Sequence, residues 1–311
     1  MSLSVSVITP SFNQAAYLEQ TMQSVLAQDV PIEYWVMDGG STDGSVAIIR
    51  RYEDRLAGWV SEADRGQADA VNKGLSRASG DVIGWLNSDD LYEPGAARRA
   101  VQAFEQYPDA ALVFGDVWSL DGEGRVINQM RYGAWGLKEL MTFHIIGQPG
   151  VWMRRSALER AGLLDLSYHY LLDHQLWLRL AQMGRMVYLG QPMAAARFHA
   201  AAKNVAQAAA FGQEAYRIVE WMQTQPGLQA LFAANRRAIW GGAHRINARY
   251  LLDGGQPGAA LRAYGRGLRC YPPAVLPEAH RMVFCLLSLA GLGRLGETYR
   301  RLKRRRYEKS R

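Results

Sequence analysis

The chain has little cysteine and no long apolar run, and each absence excludes a class of protein. Its two cysteines, Cys270 and Cys285, match neither a metal-binding nor a redox spacing, which favours a reducing compartment. The apolar stretch 282–292 is well short of the roughly 18 residues that a membrane span needs. A strand-like segment, SVSVITP, begins at residue 4, where a signal peptide would lie. We therefore expect a cytoplasmic globular protein.

The body of the chain also lacks net charge. The net charge is +7, and residues 294–311 account for all of it with nine Lys or Arg and two Glu, which leaves 27 basic and 27 acidic residues elsewhere. A nucleic-acid-binding protein spreads basic residues over a face, so this distribution argues against that class. The basic tail follows the apolar stretch 282–292, and this order predicts peripheral contact with the anionic inner face of a membrane. A solvated or disordered end and an oligomer contact are the alternatives.

Strand and helix patterns alternate along the first 120 residues. Apolar and β-branched runs predict five strands, at 4–9, 32–38, 58–64, 81–87 and 111–120. Helical periodicity predicts helices between them, at 44–52, 67–78, 94–106 and after Asn13, which is a predicted N-cap. Strands joined by short helices imply crossover connections. The fold class predicted is therefore α/β, doubly wound, with a mostly parallel sheet.

The rest of the chain is less regular and then becomes helical. Residues 121–135 predict a hairpin or extended excursion that turns at Gly122 and Gly124. Short helices are predicted at 156–165 and 173–184, a strand at 185–190, and a helix, turn and second helix within 248–273. We therefore predict a catalytic domain over 1–203 and a helical C-terminal extension over 204–311.

Polar side chains follow three of the predicted strands at the point where each strand ends. Asp38 follows the second strand, Asp64 the third, and the acidic loop 87–90 (Asn-Ser-Asp-Asp) the fourth. Open α/β sheets bind ligands at the carboxyl ends of their strands, so these loops predict one site. The first strand leads into TPSFNQ without G-x-G-x-x-G, which argues against a dinucleotide. The adjacent carboxylates of the acidic loop fit either an Asx turn with a helix cap or a divalent metal.

Four segments resemble, in sequence order, the signatures of family 2 glycosyltransferases. They are VSVITPSFNQAAYLEQTMQSVLAQ, VMDGGSTDGS, GDVIGWLNSDD and DHQLWLRLA, and the resemblance covers roughly residues 4–200. It implies a GT-A fold and an inverting enzyme that moves a sugar from a nucleotide-sugar donor, here predicted to be UDP-linked. It also implies Mn²⁺ or Mg²⁺ as cofactor and a glycan or lipid-linked acceptor in the biosynthesis of a bacterial surface polysaccharide.

The resemblance implies a role for each donor-side and metal-side residue. Asp38 matches the carboxylate that binds the base, and Phe12 lines the base pocket, with simple packing as its alternative. Asn87 stands where the family has the first Asp of Asp-x-Asp, and its amide oxygen can ligate or hydrogen-bond. Lys73 faces the diphosphate, with a solvated helix lysine as the alternative. The predicted donor-binding residues are Phe12, Asn13, Asp38, Asp64, Gln67, Asp69, Lys73, Asn87 and Ser88, and the predicted metal residues are Asp89, Asp90 and His199.

The resemblance also implies where the catalytic base and the acceptor lie. Asp173 matches the base that takes the proton of the acceptor hydroxyl, and its alternative is a helix cap. His174 is a rival base with a pKa nearer neutrality. Gln148, Trp152 and His174 are the predicted acceptor residues, although a buried tryptophan is the commoner fate.

Two other functions fit part of this pattern. A catalytically degenerate sugar-nucleotide-binding or scaffold protein is permitted by Asn87, but Asp89 and Asp173 argue against it. A nucleotidyltransferase would need a glycine-rich basic loop after the first strand, and TPSFNQ is neither. We therefore expect an inverting glycosyltransferase.

Overall fold

The computed structural model describes residues 3–199 and 207–292. The chain divides into two compact units, the first built from 1–120, 129–136 and 146–197, and the second from 121–128, 137–145 and 198–311. Two short segments of the predicted catalytic domain, 121–128 and 137–145, thus group with the second unit. The predicted boundary between 203 and 204 lies outside the described residues, as does the basic tail, and both stay predictions.

The strands and helices up to residue 198 alternate over the first 120 residues, as the sequence pattern predicts, apart from the short strand β5. They are β1 (Val5–Ser11), α1 (Ala15–Leu26), β2 (Ile32–Asp38), α2 (Ser45–Arg51), β3 (Gly58–Ser61), α3 (Gln67–Leu75), β4 (Val82–Trp85), β5 (Leu91–Tyr92), α4 (Ala96–Gln106), β6 (Ala110–Asp121), β7 (Val126–Met130), α5 (Leu137–Met141), β8 (Val151–Arg154), α6 (Arg155–Ala161), α7 (Leu172–Leu180) and β9 (Arg185–Phe198). Single-turn 3₁₀ helices lie at Glu53–Arg55 and Gln148–Gly150.

The strands form one sheet in the order β3-β2-β1-β4-β8-β6-β9-β5, with β7 paired to β6. The strands β3, β2, β1 and β4 are parallel, whereas β8 is antiparallel to both β4 and β6 and β5 is antiparallel to β9. The predicted doubly wound, mostly parallel α/β fold is confirmed. Strand β1 is buried along its whole length, because its neighbours and the helices cover it on both sides.

The register of the parallel strands brings their carboxyl ends to one edge. Ser11 of β1 pairs with Asp38 of β2, which in turn pairs with Ser61 of β3. On the other side of β1, Ile8 pairs with Trp85, the last residue of β4. The loops that follow β1, β2, β3 and β4 therefore start from the same edge of the sheet.

Several predicted boundaries differ from those observed. Strand β3 ends at Ser61 rather than 64, and β9 runs to Phe198 rather than 190. The short strands β5 and β8 were not predicted, because two to four residues are too few for a periodic pattern. The predicted N-cap role of Asn13 is wrong: Gln14 is the N-cap of α1, and Asn13 lies in the left-handed region at φ 52°.

The second unit is helical in its described C-terminal part. Its helices are α8 (Ala208–Thr224), α9 (Gln229–Asp253), α10 (Pro257–Cys270), α11 (Pro272–Val275) and α12 (Ala279–Leu289), with 3₁₀ turns at Pro226–Leu228 and Leu276–Glu278. The predicted helix, turn and second helix within 248–273 are confirmed. Pro257 occupies the first turn of α10, where its missing N–H costs no hydrogen bond.

A buried ion cluster ties the helices of this unit together. The Glu278 carboxylate is 5% exposed and binds the guanidinium groups of Arg245 and Arg249. It also accepts a hydrogen bond from the Tyr264 hydroxyl at 2.8 Å. Burial alone would raise the pKa of Glu278, but Arg249 and Arg245 outweigh burial, so the pKa lies below its usual value. The carboxylate is therefore held in its charged form.

We expect Glu278→Gln to lower the free energy of unfolding of the helical unit by about 1.5–3 kcal/mol, because it leaves the half-buried guanidinium groups of Arg245 and Arg249 without their counter-charge. A lowered folded-state pKa stabilises the fold above the unfolded pKa, and this stabilisation is lost as the pH falls through the folded value. The difference between wild type and variant in urea unfolding should therefore shrink on acidification below about pH 4.5. Glu220→Gln, at an exposed position of α8, is the matched control and should change little. An equal loss in both variants would contradict the role of the cluster.

Candidate active site

An exposed aromatic ring and a carboxylate meet at the end of β2. Phe12 is 60% exposed, which is unusual for a large apolar side chain and disfavours simple packing. A Cβ atom added at Gly39 would lie 2.5 Å from Asp64 Oδ2 and 3.4 Å from Phe12 Cδ2. The absence of a side chain at Gly39 therefore lets Phe12 and Asp64 come together. Asp64 also accepts a hydrogen bond from the Gly66 N–H at 2.7 Å.

The Asp38 carboxylate organises the loop beside this pair. It is 2% exposed, and its Oδ2 accepts hydrogen bonds from the N–H groups of Gly40 and Ser41 and from the Ser61 hydroxyl. Its Oδ1 accepts one hydrogen bond, from the Ser41 hydroxyl at 2.5 Å. Because a carboxylate oxygen can accept two bonds, Oδ1 is the atom with capacity for a donor from a ligand.

The loop after β1 and the loop after β2 are interlocked. The Asn13 N–H donates to the Ser41 hydroxyl at 2.7 Å, and the Thr42 N–H donates back to Asn13 Oδ1 at 2.9 Å. The Ala15 N–H at the start of α1 donates to Asp43 Oδ2 at 2.9 Å. The predicted donor-binding residue Asn13 thus uses its amide oxygen to hold the neighbouring loop.

The predicted residues on α3 are engaged in contacts of their own. Asp69 is 8% exposed and accepts hydrogen bonds from the backbone and the guanidinium of Arg65. Lys73 is paired with Glu62 at 2.9 Å and with Asp69 at 3.7 Å. The hydrogen bond to Glu62 is the main reason that the pKa of Lys73 is raised. Lys73 is therefore an ion-paired helix residue, and this pairing competes with a role at the diphosphate.

In the acidic loop, Asn87 serves as a hydrogen-bonding hub. Its Oδ1 accepts from Gln67 Nε2 at 2.7 Å and from Trp85 Nε1 at 2.9 Å, and its amide nitrogen donates to Asp90 Oδ2 at 3.4 Å. Both lone pairs of the amide oxygen are thus used. The sequence left this oxygen either to ligate a metal or to hydrogen-bond, and the structure supports hydrogen bonding. The bond to Gln67 ties the loop after β4 to the start of α3. Ser88 is buried in the same loop.

Arg197 of β9 fastens the acidic loop from the other side. Its backbone N–H donates to Asp90 Oδ1 at 2.9 Å, and its Nε donates to the Asp89 carbonyl oxygen at 3.1 Å. The guanidinium also donates to Gln20 and lies 4.8 Å from the centre of the Tyr17 ring. Asp90 is 5% exposed, and burial together with the nearby Asp89 raises its pKa well above the usual value.

Asp89 is half-buried and Asp90 is buried, so Asp89 is the more accessible carboxylate of the acidic loop and the better candidate ligand of a divalent cation. The side-chain oxygens of Asn87 and Asp90 hydrogen-bond within the protein, those of Asp90 to Asn87 and Arg197. Within residues 3–199 and 207–292, no group of three or more His, Cys, Asp or Glu side chains could hold a metal ion. A cation at Asp89 would therefore take most of its oxygen ligands from a bound diphosphate or from water. The predicted ligand His199 is half-buried and groups with the second unit.

Asp173 lies in the first turn of α7 and is half-buried, as a base that meets a substrate must be.

The predicted acceptor residues lie deeper. Trp152 is fully buried and stacks on Tyr92 with ring centres 4.6 Å apart, and His174 is 1% exposed. Gln148 is 8% exposed and donates to the Trp85 carbonyl at 2.5 Å. The burial of Trp152 and His174 argues against direct contact of either residue with an acceptor.

Sequence reasoning missed several residues that shape the site. Gly39 was not named, although the GG pair after Asp38 was a signal for a close approach. Arg197 was not named, because its partners Asp89 and Asp90 lie more than 100 residues away along the chain. Ser61 was read as part of a strand, and no local pattern could show that its hydroxyl binds Asp38.

The sheet order and the acidic loops at its carboxyl edge define a fold of the GT-A type, which is a glycosyltransferase class. The chain belongs to glycosyl transferase family 2, whose model matches residues 6–162, about half of the chain.

An uncharacterized glycosyltransferase of Nostoc sp. is 28% identical over 226 residues, which cover 68% of this chain and 70% of the relative. The structure of S. aureus TarS 1–349 in complex with UDP-GlcNAc is similar with a TM-score of 0.59 and 17% identity, over 99% of this chain and 91% of that one. The mannosyltransferase PcManGT from Pyrobaculum calidifontis, in complex with GDP-Man and Mn²⁺, gives a TM-score of 0.60 and 19% identity over 94% and 87% of the two chains.

Proposed function

We propose that this glycosyltransferase transfers a sugar from a UDP-linked donor to a glycan or lipid-linked acceptor with inversion at the anomeric carbon. The observation that supports this most is the register of β1, β2, β3 and β4, which brings Asp38, Asp64 and the acidic loop to one edge of the sheet. TarS was solved in complex with UDP-GlcNAc and PcManGT in complex with GDP-Man, so two structural neighbours bind nucleotide sugars.

Two groups of residues bind the donor: one binds the base and ribose, and the other, at the acidic loop, binds the diphosphate. Phe12 stacks on the base, and Asp38 Oδ1 accepts a hydrogen bond from a base N–H. Asp64, beside Gly39, accepts a hydrogen bond from a base or ribose donor. The interlocked loops after β1 and β2 hold these groups in place, so the pocket needs little rearrangement to bind.

The diphosphate lies at the acidic loop, where Asp89 would hold Mn²⁺ or Mg²⁺. Such an ion neutralises the charge that builds up on the leaving nucleoside diphosphate. Asn87, Asp90 and Arg197 fix the shape of the loop around Asp89 through the contacts described above. We therefore assign Asp90 to support of the loop, with metal contact as a role that its substitution can test.

Asp173 is the proposed catalytic base. As the acceptor oxygen attacks the anomeric carbon, its proton passes to the Asp173 carboxylate, and the bond to the nucleoside diphosphate breaks. One displacement on the opposite face inverts the configuration of the anomeric carbon. His174 is left out of this step because it is 1% exposed.

A thermal-shift panel tests the donor assignment. UDP, GDP and their common sugar conjugates, each with Mn²⁺ or with EDTA, are added to the full chain. A ligand that binds the folded state raises the melting temperature by mass action, and we expect the largest rise with a UDP-sugar and Mn²⁺. Slow release of UDP from the same donor would show that the protein is an enzyme. A panel without any shift, and without any release, would contradict the proposed function.

We further propose that the protein contacts an anionic membrane surface at its C-terminal end. Val283, Leu286 and Leu289 recur every three residues on one side of α12, and each is more than half exposed. Leu276 and Leu292, which flank α12 along the chain, are also exposed. The basic tail, with its net charge of +7, begins two residues after Leu292. No helix of the described residues is long and apolar enough to cross a bilayer.

We expect the full chain to co-sediment with vesicles that contain phosphatidylglycerol and not with pure phosphatidylcholine, because each basic residue near an anionic surface contributes about 1 kcal/mol. Salt should weaken this binding, and truncation after Gly293 should abolish it. Leu286→Glu, which places a charge on the apolar surface, should reduce it, whereas Glu220→Gln should not. Equal pelleting of the truncated chain would contradict the proposal, and dimerisation that Leu286→Glu abolishes would assign the surface to a second copy.

A further inference from the structure

A group of aromatic side chains lies at the same edge of the sheet as the donor loops. Strands β4 and β6 both run antiparallel to β8, and Gly84 and Phe114 pair with Trp152 and Val151 respectively. Phe114 is therefore level with the end of β4, and Asp116 continues past that end. Tyr132 and Tyr188 contact Phe114 and Asp116 of this extension, and Trp135 contacts Tyr132. We call Tyr132, Trp135 and Tyr188 the aromatic platform.

A buried carboxylate fixes the aromatic platform. Asp116 is 3% exposed, and its Oδ1 accepts from the Tyr188 hydroxyl at 2.6 Å and from the Tyr132 N–H at 3.1 Å. Tyr132 and Trp135 have ring centres 5.4 Å apart, and Phe114 lies 5.4 Å from Tyr188. Tyr132, Trp135 and Tyr188 are each half-buried residues. Two of the three are thus held by Asp116 and all are partly exposed, as a sugar-stacking surface must be.

The aromatic platform adjoins the proposed catalytic base. The Tyr132 hydroxyl accepts a hydrogen bond from the Gly147 N–H at 2.8 Å, and the next residue, Gln148, reaches the carbonyl of Trp85 at the end of β4. Trp85 in turn has its ring centre 6.4 Å from that of Trp177, which lies on α7 one turn after Asp173. Burial raises the pKa of Tyr132, and the carboxylates Asp116 and Asp173 also raise it, in keeping with this placement.

We propose that Tyr132, Trp135 and Tyr188 form the acceptor subsite, on which the sugar ring of the acceptor stacks beside Asp173. The apolar C–H face of a pyranose fits the negative face of an aromatic ring. This inference deepens the proposed function and rests on it. It also replaces the acceptor contacts predicted at Trp152 and His174, whose side chains are buried.

Saturation-transfer NMR with simple glycosides tests the subsite. The probes are methyl β-D-glucopyranoside, methyl α-D-mannopyranoside and methyl N-acetyl-β-D-glucosaminide, added to the full chain with UDP and Mn²⁺. We expect at least one probe to bind the wild type and its affinity to fall about 30-fold or more in Trp135→Ala, the effect of truncating an aromatic anchor. Trp135→Phe should restore part of the binding. Tyr188→Phe keeps the ring and should retain most of it.

Two controls separate the possible failures. Trp221→Ala removes a half-buried tryptophan of α8 and should leave the glycoside signals unchanged. The thermal shift with UDP should be the same in Trp135→Ala as in the wild type, which shows that the variant is folded and that its donor site is intact. A wild type that binds UDP but no glycoside would overturn this inference and leave the proposed function standing. A Trp135→Ala variant with full glycoside binding would do the same. A wild type that binds no nucleotide would instead overturn the proposed function.

Discussion

We expect Asp173→Asn to lower the rate of UDP release from a UDP-sugar by roughly 10²–10⁴, with water or a glycan as the acceptor. Asparagine has nearly the shape of aspartate but cannot take the proton of the attacking hydroxyl. Asp173 is half-buried in the first turn of α7, so the substitution leaves the helix and its packing largely unchanged. The thermal shift with UDP should be retained, because Asp173 is assigned to the acceptor side.

Glu159→Gln is the matched control for this variant. Glu159 is an exposed carboxylate on the neighbouring helix α6, paired with Arg155 at 2.9 Å, and its loss should leave turnover unchanged. An Asp173→Asn variant with full turnover would contradict the assignment of the base. If His174→Gln then lost turnover while keeping its melting temperature, the role would move one residue along the chain.

The second large effect is expected from Asp89→Asn, which should abolish metal-dependent binding of UDP and lower turnover by at least about 10²-fold. Loss of a charged ligand beside a diphosphate costs several kcal/mol. Asparagine is again close in shape, and the Asp89 carbonyl that accepts from Arg197 belongs to the backbone, so the loop should keep its fold. Manganese titration followed by the UDP thermal shift gives the measurement.

Asp90→Asn separates the two adjacent carboxylates. If Asp90 supports the loop through its bond to the Arg197 N–H, its replacement should lower stability more than it lowers metal affinity. A loss of metal affinity equal to that of Asp89→Asn would assign both carboxylates to the cation. Full activity of Asp89→Asn in EDTA would remove the metal from the mechanism.

The parts of the fold that could be predicted from sequence are those with a periodic pattern. The strands β1, β2 and β4 are short segments rich in apolar and β-branched residues, and their order with α1, α2 and α3 made a parallel sheet predictable. Strand β8 has four residues and follows the Gln-Pro-Gly turn at Gln148–Gly150, so its pairing between β4 and β6 depends on tertiary contacts.

The candidate site could be predicted in part for a similar physical reason. Asp38, Asp64 and Asp89 lie in the loops that follow strands, and the end of an apolar pattern in the local sequence indicates where each loop begins. What Asn87, Asp90 and Lys73 do depends on which partners reach them, and those partners are Gln67, Arg197 and Glu62. On the acceptor side, the sequence could not show that the side chains of Trp152 and His174 are buried.

The interlocked loops after β1 and β2 have a thermodynamic consequence. Asn13 donates its N–H to the Ser41 hydroxyl and accepts from the Thr42 N–H, and Asp43 accepts from the Ala15 N–H in the first turn of α1. A loop that is already ordered loses little conformational entropy when a nucleotide arrives. Little of the binding free energy of the contacts is then lost to ordering the loops, so the dissociation constant reflects nearly all of it. This rim of the pocket also has no need to close as a lid.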